Sequence, residues 1–242
     1  MKKLYLNPLF LLGLIIRLLL VTLVLPSPVS NWYVPFLDVS TQGAVLDPWG
    51  AWLLSGGTPA AFPYGYVMWL TFLPLTLLCK LAGAPLVLGY GGTLVLADIG
   101  LLAVLRRMVE STDRLLLATY WLSPIVIVAS YVFGFNDLVP VLLLALALLF
   151  ARAARLSWAG VMLMGAISAK LSMVLALPFF VIYLLHNRAL REYLAILPRD
   201  WVRAWCCSSY HFYCRRRAWP CWSPILRWSR CIASRSTLTA TP

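Results

Sequence analysis

Acidic residues are scarce in this 242-residue chain, eight in all, and charged residues of both signs make up only 12% of it. A soluble domain carries about twice that share of charge and about 45–50% apolar residues. With 62% apolar residues here, water is not expected to be the main solvent. Histidine is limited to His186 and His211, and Cys79 is the one cysteine before residue 206. That spacing offers no histidine-based metal site and no disulfide framework over most of the chain. There is also no G-x-G-x-x-G following a strand and no Walker lysine, so no nucleotide or nucleotide-sugar site is visible.

What the chain does have is apolar runs, at residues 8–25, 66–82, 85–105, 115–133, 137–151 and 158–185. Each is near the span of a bilayer crossing, about 20 residues. The expected fold is therefore all-α, a polytopic transmembrane helical bundle with a long outer loop, residues 26–65, after the first helix. Lys2 and Lys3 precede an apolar stretch with no small-x-small cleavage pattern after it, which reads as an uncleaved signal anchor with the N-terminus in the cytoplasm. The net charge of +12 does not point to nucleic acid. Before the tail, basic residues stand singly or in pairs at the ends of apolar runs, a signature of topology.

Six simple crossings would put Arg106, Arg107, Arg114, Arg152 and Arg155 outside, against the bias of basic residues toward the cytoplasm. If residues 66–82 instead dip in and return, or lie in the interface, all five move inside. Parity then requires residues 158–185 to go up and come back as two short helices meeting near Lys170. Arg188 and Arg191 join the cytoplasmic side, leaving Lys80 and Lys170 outside.

From about residue 200 the composition shifts to five cysteines, five tryptophans and seven arginines with no acidic residue after Asp200. Cys206, Cys207, His211, Cys214 and Cys221 could be read as a zinc site, but no Cys-x-x-Cys pair is present. Arg215, Arg216 and Arg217 could bind anionic lipid. A frameshift accounts for more: tryptophan and cysteine codons largely fix their bases, and the neighbouring frame through Trp205, Cys206, Cys207 and 218–222 reads as apolar residues. The expected organisation is a membrane domain over residues 1–199 and an aberrant tail, residues 200–242, without a selected fold.

Two carboxylates, Asp38 and Asp47, stand among eight aromatic residues, Trp32, Tyr33, Phe36, Trp49, Trp52, Phe62, Tyr64 and Tyr66, which are expected to anchor at the membrane interface. Asp47 followed by Pro48 is also a helix-start signature, with Gly56 and Gly57 as the stop and Trp49, Trp52 and Leu53 on one face. Asp137 has the same local explanation, a cap for the helix that follows. Lys170 is harder to explain locally, because a lone lysine in lipid costs about 2.5–3.5 kcal/mol even on the lenient insertion scale. Arg17 and Asp98 lie at similar depth from the cytoplasmic ends of their helices and are expected to form a buried structural ion pair.

In order along the chain, Arg17 in the first helix, Asp47, Trp52, Gly56 and Gly57 in the loop, and the FPYGY of residues 62–66 resemble the GT-C superfamily of membrane glycosyltransferases. Ser123 and Pro124 stand where that family has an asparagine-proline element. Gly134, Asn136 and Asp137 resemble its G-x-x-D turn, and Lys170 with Leu177, Pro178 and Phe179 its lysine element. The resemblance covers residues 9–185. It implies transfer of a hexose, mannose or glucose, from a polyprenyl-phosphate carrier to a glycan or glycolipid acceptor by one in-line displacement. It implies Asp47 or Asp38 as catalytic base, and Lys170, Asn136, Asp137 and Tyr64 as substrate-binding residues. No metal and no cofactor beyond the lipid-linked donor is required, and the setting is a multi-pass protein of the inner or plasma membrane.

Two other readings stay open. One is a flippase or transporter of lipid-linked sugars, which also uses intramembrane charges and broken helices. The other is a non-catalytic fragment of a transferase. The topology has a direct check. Single cysteines placed at Asp47 and Lys170 are expected to react with an impermeant thiol reagent added outside, whereas cysteines at Arg106 and Arg155 are not. Labelling at Arg155 from outside overturns the arrangement.

Overall fold

The computed structural model describes residues 2–42, 47–109 and 111–186. Arg188, Arg191, the expected boundary near residue 199 and the cysteine-rich tail lie outside the described residues. Within them every regular element is helical. After the short turn α1 (Lys2–Tyr5), α2 (Pro8–Leu23) opens with the Asn7 side chain accepting from the Leu9 N–H and with Pro8 in the first helical position. That arrangement satisfies one orphan donor and uses proline where its missing N–H costs nothing.

Residues 26–65 are not a hanging loop. Their described part forms a π-type turn (Val29–Tyr33), α3 (Val34–Ser40) and α4 (Pro48–Leu54), followed by an irregular stretch into α5 (Tyr66–Leu81). Several aromatic residues expected to anchor in the membrane interface are buried instead, among them Phe36, Phe62 and Tyr33, while Trp32 stays exposed. Phe36 stacks on Phe62 at 4.5 Å, and Tyr90 stacks on both Phe72 (4.6 Å) and Tyr33 (5.6 Å). The Trp69 indole N–H donates to Ser40 Oγ at 3.0 Å. Aromatic pairs of this kind add about 0.5–1.5 kcal/mol each beyond area burial. A wide row of rings finds more contact surface in the protein than at a lipid boundary.

α5 is one continuous helix, so residues 66–82 do not turn back on themselves. Four residues join it to α6 (Leu86–Met108), against which it packs. Gly89 makes this possible, since a Cβ there would lie 2.8 Å from the Leu75 carbonyl oxygen. α6 also packs on α2 and on α9 (Leu138–Arg152). Its ends are tied: Tyr90 near the start and Met108 at the finish both hydrogen-bond across, the latter accepting from Arg152 at 2.7 Å.

Residues 115–133 are not a straight crossing either. α7, which starts at Asp113 and continues as a π-type turn to Trp121, meets α8, which starts at Pro124 and continues to Val132, at a bend of 45°. Pro124 has no N–H to donate, and it holds Ser123 extended, with ψ near 120°, where a helix cannot run through. The sequence 158–185 divides as expected. α10 (Leu156–Ala169) ends at Lys170, whose backbone is extended, and a 3-10 turn (Leu171–Ala176) leads into α11 (Leu177–His186).

By length and composition α6 can cross a membrane, and α7 with α8 can do so as a bent pair. α2, α5, α9 and α10 are apolar but have 16, 16, 15 and 14 residues, about 21–24 Å against a hydrocarbon core of about 30 Å. The six apolar runs thus resolve into one full-length helix, one bent pair and several shorter apolar helices.

Arg17 and Asp98 lie at the centre, both with no exposed side-chain surface, joined by Arg17 Nε and Asp98 Oδ2 at 2.7 Å. Tyr120 and Tyr131 donate their hydroxyls to the same carboxylate at 2.6 and 3.0 Å. The guanidinium also donates to the Gly13 carbonyl and sits 3.7 Å from the Trp121 ring centroid. Removing one partner from such a pair leaves an uncompensated charge and costs about 3–5 kcal/mol, whereas removing both is close to neutral. Arg17→Met alone is expected to lose that much on unfolding in detergent. Arg17→Met combined with Asp98→Asn should recover most of it, and equal losses in the single and double variants would contradict the account.

Candidate active site

The turn before α9 brings the expected binding residues together. Gly134 has φ +75°, and a Cβ on it would come within 2.5 Å of Val29 and 2.9 Å of Pro26. Glycine is therefore required twice, for the left-handed backbone and for the close approach of the loop. The Gly134 carbonyl accepts from the Tyr90 hydroxyl at 3.0 Å, which fixes the turn to α6. Asn136 and Asp137 follow at once.

Asp137 precedes α9, but its side chain makes no capping bond. The expectation of a cap is corrected here: the carboxylate forms an ion pair with Lys170, and both groups keep partial access to solvent, at 46% and 31% exposure. A long-range opposite charge outweighs a local amide because two ions attract more strongly than an ion and a dipole. The helix break at Lys170 places its ammonium at the mouth of the turn rather than on a helix face.

Asn136 is 1% exposed, and neither its amide nitrogen nor its amide oxygen has a hydrogen-bond partner. Such groups are rare in folded proteins and ask for an explanation. Around the turn, the Tyr64 and Tyr33 hydroxyls lie 3.3 Å apart. The Tyr33 phenol is held above its ordinary pKa, first by burial, then by its hydrogen bond to Tyr64 and by the charges of Tyr64 and Asp137. Gly65 touches the other side, where a Cβ would lie 2.3 Å from the Ser168 carbonyl oxygen. Lys170, Asn136, Asp137 and Tyr64 thus share one region. Tyr33, Tyr90 and Ser168 belong to it too and were missed by sequence reasoning, although the glycines that admit them were visible.

The two loop carboxylates have different partners. Asp47 starts α4 as expected, accepting from the Gly50 N–H at 2.9 Å. Gly56, at φ +84°, follows just after the end of that helix. Trp49 donates to the Phe62 carbonyl and packs edge-on against Tyr66 at 4.7 Å, so α4 lies over the segment that carries Tyr64. Trp52 packs on Phe36, whereas Leu53, expected on the same face, is exposed.

Asp38 is joined to Lys80 at 2.7 Å and accepts from Gln42 at 3.0 Å. Lys80 is 14 residues past Tyr66 along α5, about 21 Å from the end that touches Ser168. Among the described residues no three His, Cys, Asp or Glu side chains are grouped to hold a metal ion. The cysteine and histidine set suggested for zinc lies outside them. No protein-family model matches the chain, and no curated protein or solved structure matches it.

The Asp38 carboxyl is held below its ordinary pKa, chiefly by the hydrogen bond from Lys80, with burial opposing and the Gln42 amide assisting. A depressed folded value means that the tether contributes fully above the unfolded aspartate range of about 3.9 and is lost as pH falls through the folded value. Proteolysis between α3 and α4 is expected to accelerate only below about pH 4. Asp38→Asn should accelerate it at neutral pH and remove the pH dependence. An unchanged acid profile in that variant assigns the effect to another group.

Proposed function

We propose that this chain is a membrane glycosyltransferase component that takes a hexose from a polyprenyl-phosphate carrier, with the Lys170 region holding the carrier's phosphate. The observation that carries the reading is the juxtaposition of a partly open ammonium, Lys170, with a buried amide lacking partners, Asn136, at a helix break. A phosphate needs a cation and further donors. A sugar ring offers hydroxyls to an amide that can both donate and accept.

The membrane setting is supported by an inverted surface. On α2, Leu11, Leu12, Ile15, Leu18 and Leu19 are exposed while Arg17 is fully buried. Contiguous exposed apolar surface of this kind fits a lipid-facing helix. The short helices fit such a site if the bilayer thins around them or further protein covers them. The reading keeps the chain as a multi-pass protein of the inner or plasma membrane with its N-terminus in the cytoplasm.

In this scheme the departing phosphate develops charge where Lys170 neutralises it, an effect that grows as water is excluded. The base that removes the acceptor hydroxyl's proton is a loop carboxylate. Asp38 is the weaker candidate, because Lys80 stabilises its ionised form and so lowers its affinity for a proton. Asp47 sits next to Trp49, whose helix covers the Tyr64 segment, and it is the residue assigned here to that role.

Broken helices at Lys170 and at Pro124 also favour a second reading, transport of the same lipid-linked sugar, since discontinuous helices commonly form midplane sites in transporters. The two readings part on chemistry. In proteoliposomes supplied with radiolabelled polyprenyl-phosphate mannose or glucose and a membrane glycolipid extract, a transferase moves label to glycan. Asp47→Asn retains most capping and is expected to lose roughly 100-fold or more in rate at equal protein level, while Asp38→Asn stays near the parent. Loss in Asp38→Asn alone moves the base to Asp38. Label that crosses the bilayer without changing acceptor establishes the transporter.

A further inference from the structure

Lys170 and Asn136 are adjacent to one carboxylate that the proposed chemistry does not use. Among the described residues the hydrogen-bond partner of the Lys170 ammonium is Asp137, and the neighbouring Asn136 amide has none. We propose that Asp137 is an internal competitor for phosphate at this site: it occupies Lys170 at rest and is displaced by the phosphate group of the ligand, to which the Asn136 amide nitrogen supplies a second donor. The proposal rests on the phosphate-binding role given to Lys170 above.

Four features support it. A carboxylate presents to an ammonium the same kind of acceptor oxygens as a phosphate ester, so one can stand in for the other. The ion pair is about one-third to one-half exposed, and pairs of that kind contribute little net stability, so a ligand can open it. The Asn136 side chain, itself 1% exposed, carries two N–H donors on its nitrogen, and at that depth an unmet donor is costly and a phosphate oxygen would satisfy it. Tyr90, beside it, has committed its proton to the Gly134 carbonyl, so its oxygen can only face the Asn136 amide as an acceptor, and the amide remains the donor that a phosphate would meet.

The competitor has a physical use. A bare lysine with a second donor would hold any phosphate, including abundant phospholipid headgroups and the spent carrier. An anion that returns to the lysine lowers the affinity for all of them and lets the group leave. The cost is weaker binding of the ligand, and that is what can be measured.

The test is equilibrium binding to the whole chain in nanodiscs of zwitterionic lipid, with radiolabelled polyprenyl phosphate in one arm and inorganic phosphate in the other. Asp137→Asn, and Asp137→Ser as a second uncharged variant, are expected to bind about three- to fivefold tighter, the range set by a weak exposed pair. Lys170→Met should bind at least about tenfold weaker. Asn136→Leu keeps the side-chain volume and removes the unmet polar atoms, so it should weaken binding about tenfold without lowering the melting temperature.

Weaker or unchanged binding in both Asp137 variants overturns the competitor. Unchanged binding in Asn136→Leu, or a lower melting temperature there, overturns the second donor and makes the amide a structural group. The predicted pattern with polyprenyl phosphate alone supports a lipid-headgroup site, and the same pattern with inorganic phosphate supports a free-phosphate site. A chain that shows the pattern but transfers no sugar keeps this site and loses the transferase reading.

Discussion

Two opposite charges with no exposed surface, Arg17 and Asp98, can share a low-dielectric interior only if every helix that touches them is in place. The carboxylate accepts from Arg17, Tyr120 and Tyr131, which belong to α2, α7 and α8, while Asp98 itself stands on α6. One side chain therefore sets the relation of four elements. Desolvating such a pair is expensive, and its attraction offsets that cost only where geometry and further hydrogen bonds are good. Trp121 extends the constraint: it stacks on Phe10 at 4.9 Å, donates to the Phe10 carbonyl and faces the guanidinium. Gly13 permits this, because a Cβ there would lie 2.3 Å from the indole.

With that frame held, the loop after α2 has a fixed surface to fold upon. Tyr33 and Phe62 reach the face of α5 and α6 that carries Phe72 and Tyr90, and the row of stacked rings closes it. The same face leads to the Gly134 turn through Tyr90. The candidate site is thus tied by one hydrogen bond to α6, the helix that also carries Asp98, while the Asp38–Lys80 tether pins the loop at the other end of α5. A change in the aromatic row would be expected to act on the site by displacing the turn, with no loss of any group that touches a ligand.

Local signals were legible where a residue's partner lies within a few positions. Asp47 and Pro48 start a helix, Gly56 follows its end, and Lys170 interrupts a run too long for one crossing, all as the spacing indicates. Arg17 and Asp98 could be paired from their similar depth in two apolar helices, because a charge in apolar surroundings has few ways to be satisfied. The local pattern at Asp137 is that of a cap, and nothing in the spacing reveals its pairing with a lysine 33 positions later. The bend at Pro124 was hidden for a different reason: residues 115–133 carry no charge, and hydropathy does not record direction. Burial of Phe36 and Phe62 was equally hidden, since aromatic residues suit both an interface and a core.

The proposed site also explains why the helices around it are short. A straight α10 continuing past Ala169 would carry Lys170 on a helical face; here its N–H still donates to the Ala166 carbonyl and its carbonyl accepts from Met173. The extended conformation at Lys170 instead ends α10 after 14 residues and starts a 3-10 turn, which leaves backbone groups to be satisfied by protein or water. Such an interruption is tolerated at membrane depth only where it lines a cavity or is covered by neighbouring segments. Gly65 supplies one cover, with its Cα close against the Ser168 carbonyl, and the Asp137 ion pair supplies another. The break, the glycine and the carboxylate are therefore parts of one local solution: they let a cation stand at the edge of an apolar body, partly open, without leaving it uncompensated.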